Sequence, residues 1–292
     1  MYTRVPADAR AVGGGAWPPP VEIRLPDGGT VVDVGANIGL FSLWAARRVG
    51  ATGRVLSVEP APDARAALRD NLARLDGGAR CLVCGVAAVR SDRASTTTMT
   101  VYGAAAGWGT TLPDARSTGA AAAAFVDNAL ETGEAEGALG PPALVALARW
   151  LRRRGPLDVV YQALVDAGVR RALASAREVE VPAASLSTIL ARDERLQENP
   201  ERATPIDLLK IDVEAGEMEV LAGLSDADWG RVQAVAIEAH SVGAGGHAAA
   251  AWALRARGFS VWEGRDPLLE GTGLKMVWGL RKGAGKEVAE IF

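Results

Sequence analysis

Short apolar runs alternate with amphipathic segments of helix length through the first third of the chain. The runs are rich in β-branched residues, whereas the segments between them carry apolar residues at helical spacing and stop at glycines. This pattern predicts strands and helices in alternation, at residues 30–34, 40–49, 54–60, 62–75 and 80–89. Such an alternation is typical of parallel strands joined by right-handed helical crossovers.

The alternation is interrupted in the middle of the chain and then resumes. Residues 94–102 are rich in β-branched side chains and predict a strand or a hairpin arm. Residues 115–177 are alanine-rich and predict a helical insertion or lid, with a break at residues 137–142. Later apolar runs predict further strands and a closing antiparallel pair, at residues 178–182, 207–213, 232–239, 259–262 and 275–280.

Together these elements predict an α/β, Rossmann-like fold with a mostly parallel seven-stranded sheet and an antiparallel closing strand. The predicted domain covers residues 30–280 and includes the helical insertion. Residues 1–29, rich in glycine and proline, predict an irregular lead-in, and residues 281–292 predict a polar tail.

The turn after the first strand is the most informative stretch of the sequence. It reads DVGANIG over residues 33–39, and it lies between a strand and a helix start. Glycines let a ligand approach the backbone closely, and a helix start presents unpaired N–H groups to an anionic group. A dinucleotide fingerprint requires glycine where this chain has Asn37, so a pyrophosphate is disfavoured.

The spacing D-x-G-x-N-x-G resembles motif I of class I S-adenosylmethionine methyltransferases, and an ordinary glycine-rich turn is the alternative interpretation. The resemblance predicts a cofactor-binding loop at Asp33, Gly35, Ala36, Asn37 and Gly39.

Glu59 is predicted to bind the ribose of an adenosine. It ends the second strand, 26 residues after Asp33, where a carboxylate in a doubly wound sheet can accept from both ribose hydroxyls. An exposed glutamate at a strand end is the alternative. Pro60 follows directly, and the adenine is expected near the end of the third strand, at Val86 and Ala87.

The predicted strand ends gather the remaining candidates for chemistry, because ligands of open α/β sheets bind at the carboxyl ends of the strands. His240 is a candidate general base, since an unperturbed imidazole titrates near neutral pH. Asp212 and Glu214 are rivals for that role, and they could instead bind a methionine ammonium group or orient the histidine. Glu238 and Trp108 are candidates for contact with the acceptor, although Trp108 could equally be an aromatic plug under a loop.

Composition and charge narrow the range of partners. The formal net charge is −3 and the pI is about 5.6, so no broad basic footprint for nucleic acid or an anionic membrane is expected. A spanning helix and a secretory signal are not predicted, which favours a cytoplasmic protein. Cys81 and Cys84 are interpreted as buried structural thiols, because residues three apart in a strand point to opposite faces.

Four fragments of the sequence resemble the FkbM family of S-adenosylmethionine-dependent methyltransferases: TVVDVGANIGLFSLWAA, VLSVEP, LLKIDVEAGEMEVLAGL and the strand end IEAH. The resemblance covers about residues 25–112 and 178–280. In the family a glycine usually follows the signature glutamate directly, whereas here Ala215 intervenes before Gly216.

The resemblance implies a class I methyltransferase fold and O-methylation of a hydroxyl or carboxyl oxygen, often in polyketide, peptide or sugar substrates. It assigns Asp33, Gly35, Asn37 and Gly39 to the cofactor loop, Glu59 to the ribose, and Lys210, Asp212 and Glu214 to the second signature. Catechol-type methyltransferases hold Mg²⁺ through carboxylates near this strand, but the FkbM resemblance requires no metal and none is predicted.

Two other functions remain open at the level of sequence. A nicotinamide-dependent oxidoreductase could use a similar sheet, although Asn37 disfavours it. A non-catalytic scaffold could instead bind a partner through the insertion. There an arginine cluster could dock an acidic carrier protein bearing a tethered substrate, or could be a solvated helix face, at Arg149, Arg152, Arg153 and Arg154. The sequence leaves the acceptor and the oligomeric state open.

Overall fold

A seven-stranded sheet lies at the centre of the molecule. The computed structural model describes residues 25–75, 79–93, 95–103, 109–111, 115–132, 142–152, 157–193, 204–241, 246–264 and 269–281. The strands are β1 (Thr30–Val34), β2 (Arg54–Val58), β3 (Arg80–Cys84), β4 (Ala87–Val89), β5 (Thr96–Tyr102), β6 (Ala176–Ser185), β7 (Leu208–Ile211), β8 (Ala234–His240), β9 (Phe259–Gly264) and β10 (Leu274–Arg281). The helices are α1 (Leu40–Val49), α2 (Pro62–Leu72), α3 (Ala115–Thr132), α4 (Pro142–Arg152), α5 (Asp158–Ala174), α6 (Leu186–Ala191), α7 (Glu217–Ala222), α8 (Asp226–Arg231) and α9 (Gly246–Ala256).

The order of the strands in the main sheet is β3-β2-β1-β7-β8-β10-β9. The first five strands in this order are parallel, and β10 runs antiparallel to both β8 and β9. The predicted α/β fold with an antiparallel closing strand is therefore confirmed. The chain moves outward from β1 through β2 and β3, then returns to β7 on the other side of β1. The carboxyl ends of β1 and β7 thus border the crevice where such sheets bind ligands.

The central strands are buried on both faces. Val32 and Val34 of β1 belong to a core that includes residues of α6, α7 and α9, whereas Val31 belongs to a second core with residues of α1. This division follows from the alternation of side chains along a strand. Every residue of β1 is buried, so the strand carries the carboxylate of Asp33 into the interior.

A second sheet of three strands has β6 in its centre, antiparallel to β5 and parallel to β4. The strands predicted at residues 94–102 and 178–182 are confirmed as the pair β5 and β6. The third strand and its exit, predicted at residues 80–89, are confirmed for β3 in the main sheet, whereas the exit forms a further strand, β4, in the small sheet. Val86, between them, is buried in the main core and anchors the chain where it changes sheets.

Helices α3, α4 and α5 form the region predicted as an insertion, and they have a small core of their own. Arg152 Nη1 donates to the Asp127 carbonyl over 2.9 Å, and Arg149 Nε donates to the Leu130 carbonyl over 3.3 Å. These two arginines of the predicted cluster therefore hold the helices together. Arg153 and Arg154 lie outside the described residues. The predicted helices are confirmed, and their role as a lid stays a prediction.

Most of both predicted terminal segments lies outside the described residues. Of the lead-in, residues 25–29 are described, and the Gly29 N–H donates to the Pro26 carbonyl over 2.9 Å in the predicted turn. At the other end, β10 extends to Arg281. In the part of the chain that the structure describes, no helix is both long enough and apolar enough to cross a membrane.

Candidate active site

The turn between β1 and α1 lies directly against the end of β7. Gly35 has φ 81°, and a Cβ added there would lie 1.7 Å from the carbonyl oxygen of Asp212. The N–H groups of Gly35 and Ala36 both donate to the Val58 carbonyl, over 2.9 and 3.0 Å. The loop is therefore held between β2 and β7 by its backbone. Gly39 precedes α1 in the left-handed conformation, with φ 90°.

Asp33 lies beneath this loop and is completely buried. Its Oδ2 accepts from Ser42 Oγ over 2.6 Å, and its Oδ1 lies 3.3 Å from Lys210 Nζ. The carboxylate therefore ties β1 to α1 and β7. We expect its predicted contribution to cofactor binding to be indirect, through the shape of the loop. Ser42 was not singled out from the sequence, which offers no signal for it beyond its place on α1.

Lys210 joins the two acidic residues that flank it in the sheet. Its Nζ lies 3.0 Å from Asp212 Oδ2 and donates to the Gly35 carbonyl over 3.3 Å, while the Phe41 ring centroid is 5.5 Å away. Burial alone would lower the pKa of Lys210, but the carboxylates of Asp212 and Asp33 outweigh it and raise the pKa. The lysine thus remains charged and fixes the loop against β7.

Glu59 is brought into contact with the glycine turn, as the ribose prediction requires. Its two carboxylate oxygens accept from the N–H groups of Asn37 and Ala61, both over 2.8 Å. The carboxylate is buried, and burial raises its pKa to about 7, although the two N–H donors act in the opposite direction. A carboxylate with one donor on each oxygen still has lone pairs for hydroxyl groups.

The positions predicted for the adenine lie just beyond the end of β3. Val86 and Ala87 are both buried, in two different apolar clusters. The Pro60 carbonyl accepts from Arg65 Nη1 over 2.9 Å. Contact of these residues with an adenine stays a prediction. Trp108, the predicted wall of the acceptor pocket, lies outside the described residues.

His240 lies between two carboxylates at the end of β8. Its Nε2 is 2.9 Å from Glu214 Oε2, and its Nδ1 is 2.8 Å from Glu217 Oε1. Glu217 was not among the residues singled out from the sequence. The signal that could have found it is its spacing, three residues after Glu214 at the start of a helix, since residues so spaced lie on one side of a turn.

The two carboxylates favour the doubly protonated form of the ring. Burial would lower the pKa of His240, but the hydrogen bonds and charges of Glu214 and Glu217 dominate and raise it to about 10. The Ala215 N–H points at both His240 Nδ1, 3.1 Å away, and Glu217 Oε1, 2.9 Å away. When His240 Nδ1 is protonated, the Ala215 N–H donates to the Glu217 carboxylate instead. Near neutral pH the ring therefore has no free lone pair, which opposes the predicted role of His240 as general base.

The turn that carries Glu214 has an unusual backbone. Glu214 and Ala215 have φ values of 52° and 78°, in the left-handed region that residues with a Cβ rarely adopt. Thr110 Oγ1 donates to the Glu214 carbonyl, so the segment after β5 supports the turn. The strained backbone points the Glu214 side chain toward His240.

Replacing Ala215 by glycine should relieve part of this strain. We expect the free energy of unfolding to rise by about 0.5–1 kcal/mol, because glycine has no Cβ to oppose a positive φ. Urea denaturation measures the change. The matched control is Ala66→Gly on the exposed side of α2, which should lower stability by roughly 1 kcal/mol. Equal losses in both variants would contradict the strain at Ala215.

Asp212 directly follows β7, and Glu238 lies near the end of the neighbouring parallel strand β8. Ile211 pairs with Ile237 in the register of β7 and β8, so the two acidic residues follow side by side. The Asp212 carboxylate, burial and the Glu214 carboxylate together raise the pKa of Glu238 to about 8. These effects favour the protonated form of Glu238, and its predicted contact with an acceptor stays a prediction.

The structure thus brings most of the predicted residues to one edge of the sheet. One group comprises Asp33, Gly35, Lys210 and Asp212, a second comprises Asn37 and Glu59, and a third comprises Glu214, Glu217, Glu238 and His240. Within the described ranges, no set of three or more histidine, cysteine, aspartate or glutamate side chains is arranged to hold a metal ion.

Comparisons with known proteins agree with this arrangement. The family described as "Methyltransferase FkbM domain" matches residues 160–261. The 31-O-demethyl-FK506 methyltransferase FkbM of Streptomyces tacrolimicus is 35% identical over 266 residues, covering 90% of this chain and 84% of that protein. Methyltransferase sdnD of Sordaria araneosa is 30% identical over 220 residues, covering 74% of this chain and 68% of that protein.

A third relative is much longer. The AMB antimetabolite synthetase AmbE of Pseudomonas aeruginosa is 31% identical over 277 residues, which cover 92% of this chain but 11% of AmbE. The Streptomyces relative aligns with nearly the whole chain and most of its own length. The chain therefore belongs to the FkbM family and is a methyltransferase.

Proposed function

We propose that the protein transfers a methyl group from S-adenosylmethionine to an oxygen atom of a natural-product or carbohydrate-like acceptor. The observation that carries the proposal is the hydrogen bond from the Asn37 N–H to the Glu59 carboxylate, 2.8 Å long. It joins the loop after β1 to the acidic side chain at the end of β2. In doubly wound sheets this is the place where an adenosine ribose binds.

Two further features of the loop fit this cofactor. Asn37 Oδ1 is buried, and no described residue donates a hydrogen bond to it, so a bound ligand would satisfy it. Gly35 leaves no space for a side chain, so the backbone forms the floor of the site. Glu59 would hold the ribose hydroxyls, and Asn37 would line the site beside them.

The same loop is poorly suited to a nicotinamide dinucleotide. A pyrophosphate requires free backbone N–H groups, but those of Gly35 and Ala36 donate to the Val58 carbonyl. Asn37 also replaces the glycine that lets a pyrophosphate approach the backbone. These contacts argue against the oxidoreductase alternative. The scaffold alternative does not fit a chain that is a methyltransferase.

S-adenosylmethionine supplies a methyl group on a positively charged sulfur, which keeps the electron pair of the broken carbon–sulfur bond when the methyl group moves to oxygen. The protein has to hold the acceptor oxygen in line and to take its proton. His240, Asp212 and Glu214 are the candidates for the proton. Both nitrogens of His240 face carboxylates, so the aspartate and the glutamate are the better-placed acceptors.

The relatives support a hydroxyl of a natural product as the acceptor. By its name, the Streptomyces relative methylates 31-O-demethyl-FK506, so this compound is our trial acceptor. AmbE is a synthetase of which this chain matches a small part. A segment similar to this chain within a longer synthetase is compatible with a substrate tethered to a carrier protein, and we extend that possibility to this chain.

Glu59→Ala should strongly weaken binding of S-adenosylhomocysteine, the product form of the cofactor. Hydrogen bonds to a charged group are worth about 1.5–3 kcal/mol each, so losing both ribose contacts should weaken affinity by roughly 100-fold or more. Isothermal titration calorimetry measures the loss. The matched control, Glu180→Ala on the exposed face of β6, should bind normally. A folded Glu59→Ala variant with wild-type affinity would refute the assignment of this site.

A further inference from the structure

Glu217 is a buried carboxylate at the first residue of α7, and the function proposed above does not use it. Its Oε1 receives hydrogen bonds from two directions. One comes from His240 Nδ1, 2.8 Å away, and the other comes from the Ala215 N–H, 2.9 Å away. Burial of a charged group is costly unless it is paired, so this carboxylate and the imidazolium stabilise each other.

The opposite side of the ring holds Glu214. His240 Nε2 lies 2.9 Å from Oε2 of that carboxylate. Among the described residues, none donates a hydrogen bond to the other oxygen, Oε1. The Glu214 side chain keeps 28% of its area exposed, compared with 6% for Glu217. One carboxylate therefore anchors the ring, and the other has an oxygen left for a ligand.

We propose that Glu217 is a positioning residue that holds His240 as an imidazolium, and that this ring fixes Glu214 as the group that takes the proton of the acceptor hydroxyl. This inference rests on the methyl transfer proposed above and assigns its base. Glu214 is then the catalytic residue, and His240 and Glu217 act through it.

The step balances without another reactant. The acceptor oxygen forms a bond to the methyl carbon as the carbon–sulfur bond breaks, and the electron pair of that bond stays on sulfur. The hydroxyl proton passes to Glu214 Oε1 and then to solvent. A carboxylate oriented by a charged ring needs no rearrangement when the proton arrives, which is the advantage of a fixed environment in catalysis.

Other charged groups around the ring are compatible with this arrangement. Glu238 lies two residues before His240 on β8. Asp212 lies next to Glu238 and forms an ion pair with Lys210. Burial of the Tyr102 phenol on β5, and next the charge of nearby Glu214, raise the pKa of that phenol. Leu274, opposite His240 on β10, is apolar. Within the described part of the chain, the carboxylates near His240 outnumber the one ammonium group, that of Lys210, and this excess favours the protonated form of the His240 ring.

Nuclear magnetic resonance of the imidazole rings tests the protonation state of His240 directly, because the chain contains only two histidines and their signals can be distinguished. His240 and His247 give separate signals in histidine-labelled protein, and a His247→Asn variant assigns them. In the wild type with bound S-adenosylhomocysteine, His240 should show the imidazolium pattern through pH 8 and lose its proton with a pKa near 10. Loss of the proton between about pH 6 and 7, as in an unperturbed histidine, would overturn the proposal.

Glu217→Gln removes the charge and keeps the size of the side chain. We expect the pKa of His240 to drop by more than about one unit, since hydrogen bonds to ionised groups are roughly twice as strong as neutral ones. With the trial acceptor, kcat should drop by about 100-fold, the size of a general-base contribution, while KM and S-adenosylhomocysteine affinity stay unchanged. The matched control is Glu219→Gln on the same helix, where the side chain pairs with Arg90 at the surface.

A purely structural role for Glu217 predicts a different pattern. It would lower stability but leave the pKa of His240 and kcat unaltered in the folded fraction, and that result would overturn the proposal. If Glu217→Gln fails to fold, the titration of the wild-type ring still decides. Failure of the wild type to bind S-adenosylhomocysteine would refute the proposed function instead, because the state of the ring can be measured without ligand.

Discussion

Replacing Gly35 by alanine should abolish cofactor binding and remove a large part of the stability of the fold. The new Cβ would lie 1.7 Å from the Asp212 carbonyl oxygen, and both atoms belong to the backbone framework, so no side-chain rotation relieves the overlap. The residue also has φ 81°, where alanine costs about 1–2 kcal/mol by itself. We expect the free energy of unfolding to decrease by more than about 3 kcal/mol.

Urea denaturation measures this loss, and calorimetry with S-adenosylhomocysteine measures binding by the remaining folded protein. Gly168→Ala in α5 is the matched control, because a Cβ there meets no atom within 4 Å and alanine favours a helix by roughly 1 kcal/mol. The control should be slightly more stable and bind normally. A Gly35→Ala variant that retains wild-type stability and affinity would show that the loop does not lie against β7.

Lys210→Met should have the second-largest effect. The substitution leaves the carboxylates of Asp33 and Asp212 without their shared cation, at distances of 3.3 and 3.0 Å in the native protein. Asp33 is completely buried, and removing one partner of a buried ion pair typically costs about 3–5 kcal/mol. We expect a loss of this size, measured by urea denaturation at pH 7.

Two further variants separate the effect of the Lys210 charge from other effects of the substitution. Lys275→Met, at a partly exposed position on β10, should change stability by less than about 0.5 kcal/mol. The double variant Lys210→Met, Asp33→Asn should recover part of the loss, because it removes the uncompensated carboxylate. If the double variant is less stable than the sum of both single losses, the ion pair is not the main contribution of Lys210.

The sequence predicts the order of strands and helices correctly, because the residue patterns that indicate each element are local. A β-branched run that ends at a glycine turn and continues into an amphipathic helix has few structural solutions. Parallel strands then bring their carboxyl ends together whatever residues follow. For that reason the sequence predicts that the turn at Gly35 and the carboxylate of Glu59, at the ends of successive strands, lie at one site.

The roles within the site were harder to predict, because they depend on contacts between distant residues. The unperturbed pKa of an imidazole makes His240 the expected base. In the structure Glu214 and Glu217 contact its two ring nitrogens and change its protonation state. The sequence does not distinguish Glu217, because a glutamate in the first turn of a helix is common on electrostatic grounds alone. The complete burial of Asp33 likewise follows from packing against α1, which the motif does not encode.

The presence of a second strand, β4, in the predicted exit of the third strand has a similar origin. Gly85 is a local signal for a break between β3 and β4, but the partner of β4 is β6, which follows almost a hundred residues later. Pairing between distant strands decides where one sheet ends and the other begins, and periodicity within a single strand carries no information about it.

The central claim is that the loop at Asn37 and the carboxylate of Glu59 form one adenosyl site beside Asp212 and Glu214. A crystal structure with S-adenosylhomocysteine bound tests it most directly. We predict that both ribose hydroxyls donate to Glu59 and that the sulfur faces the ends of β7 and β8. An adenosyl group bound elsewhere, or a ribose without contact to Glu59, would contradict the claim.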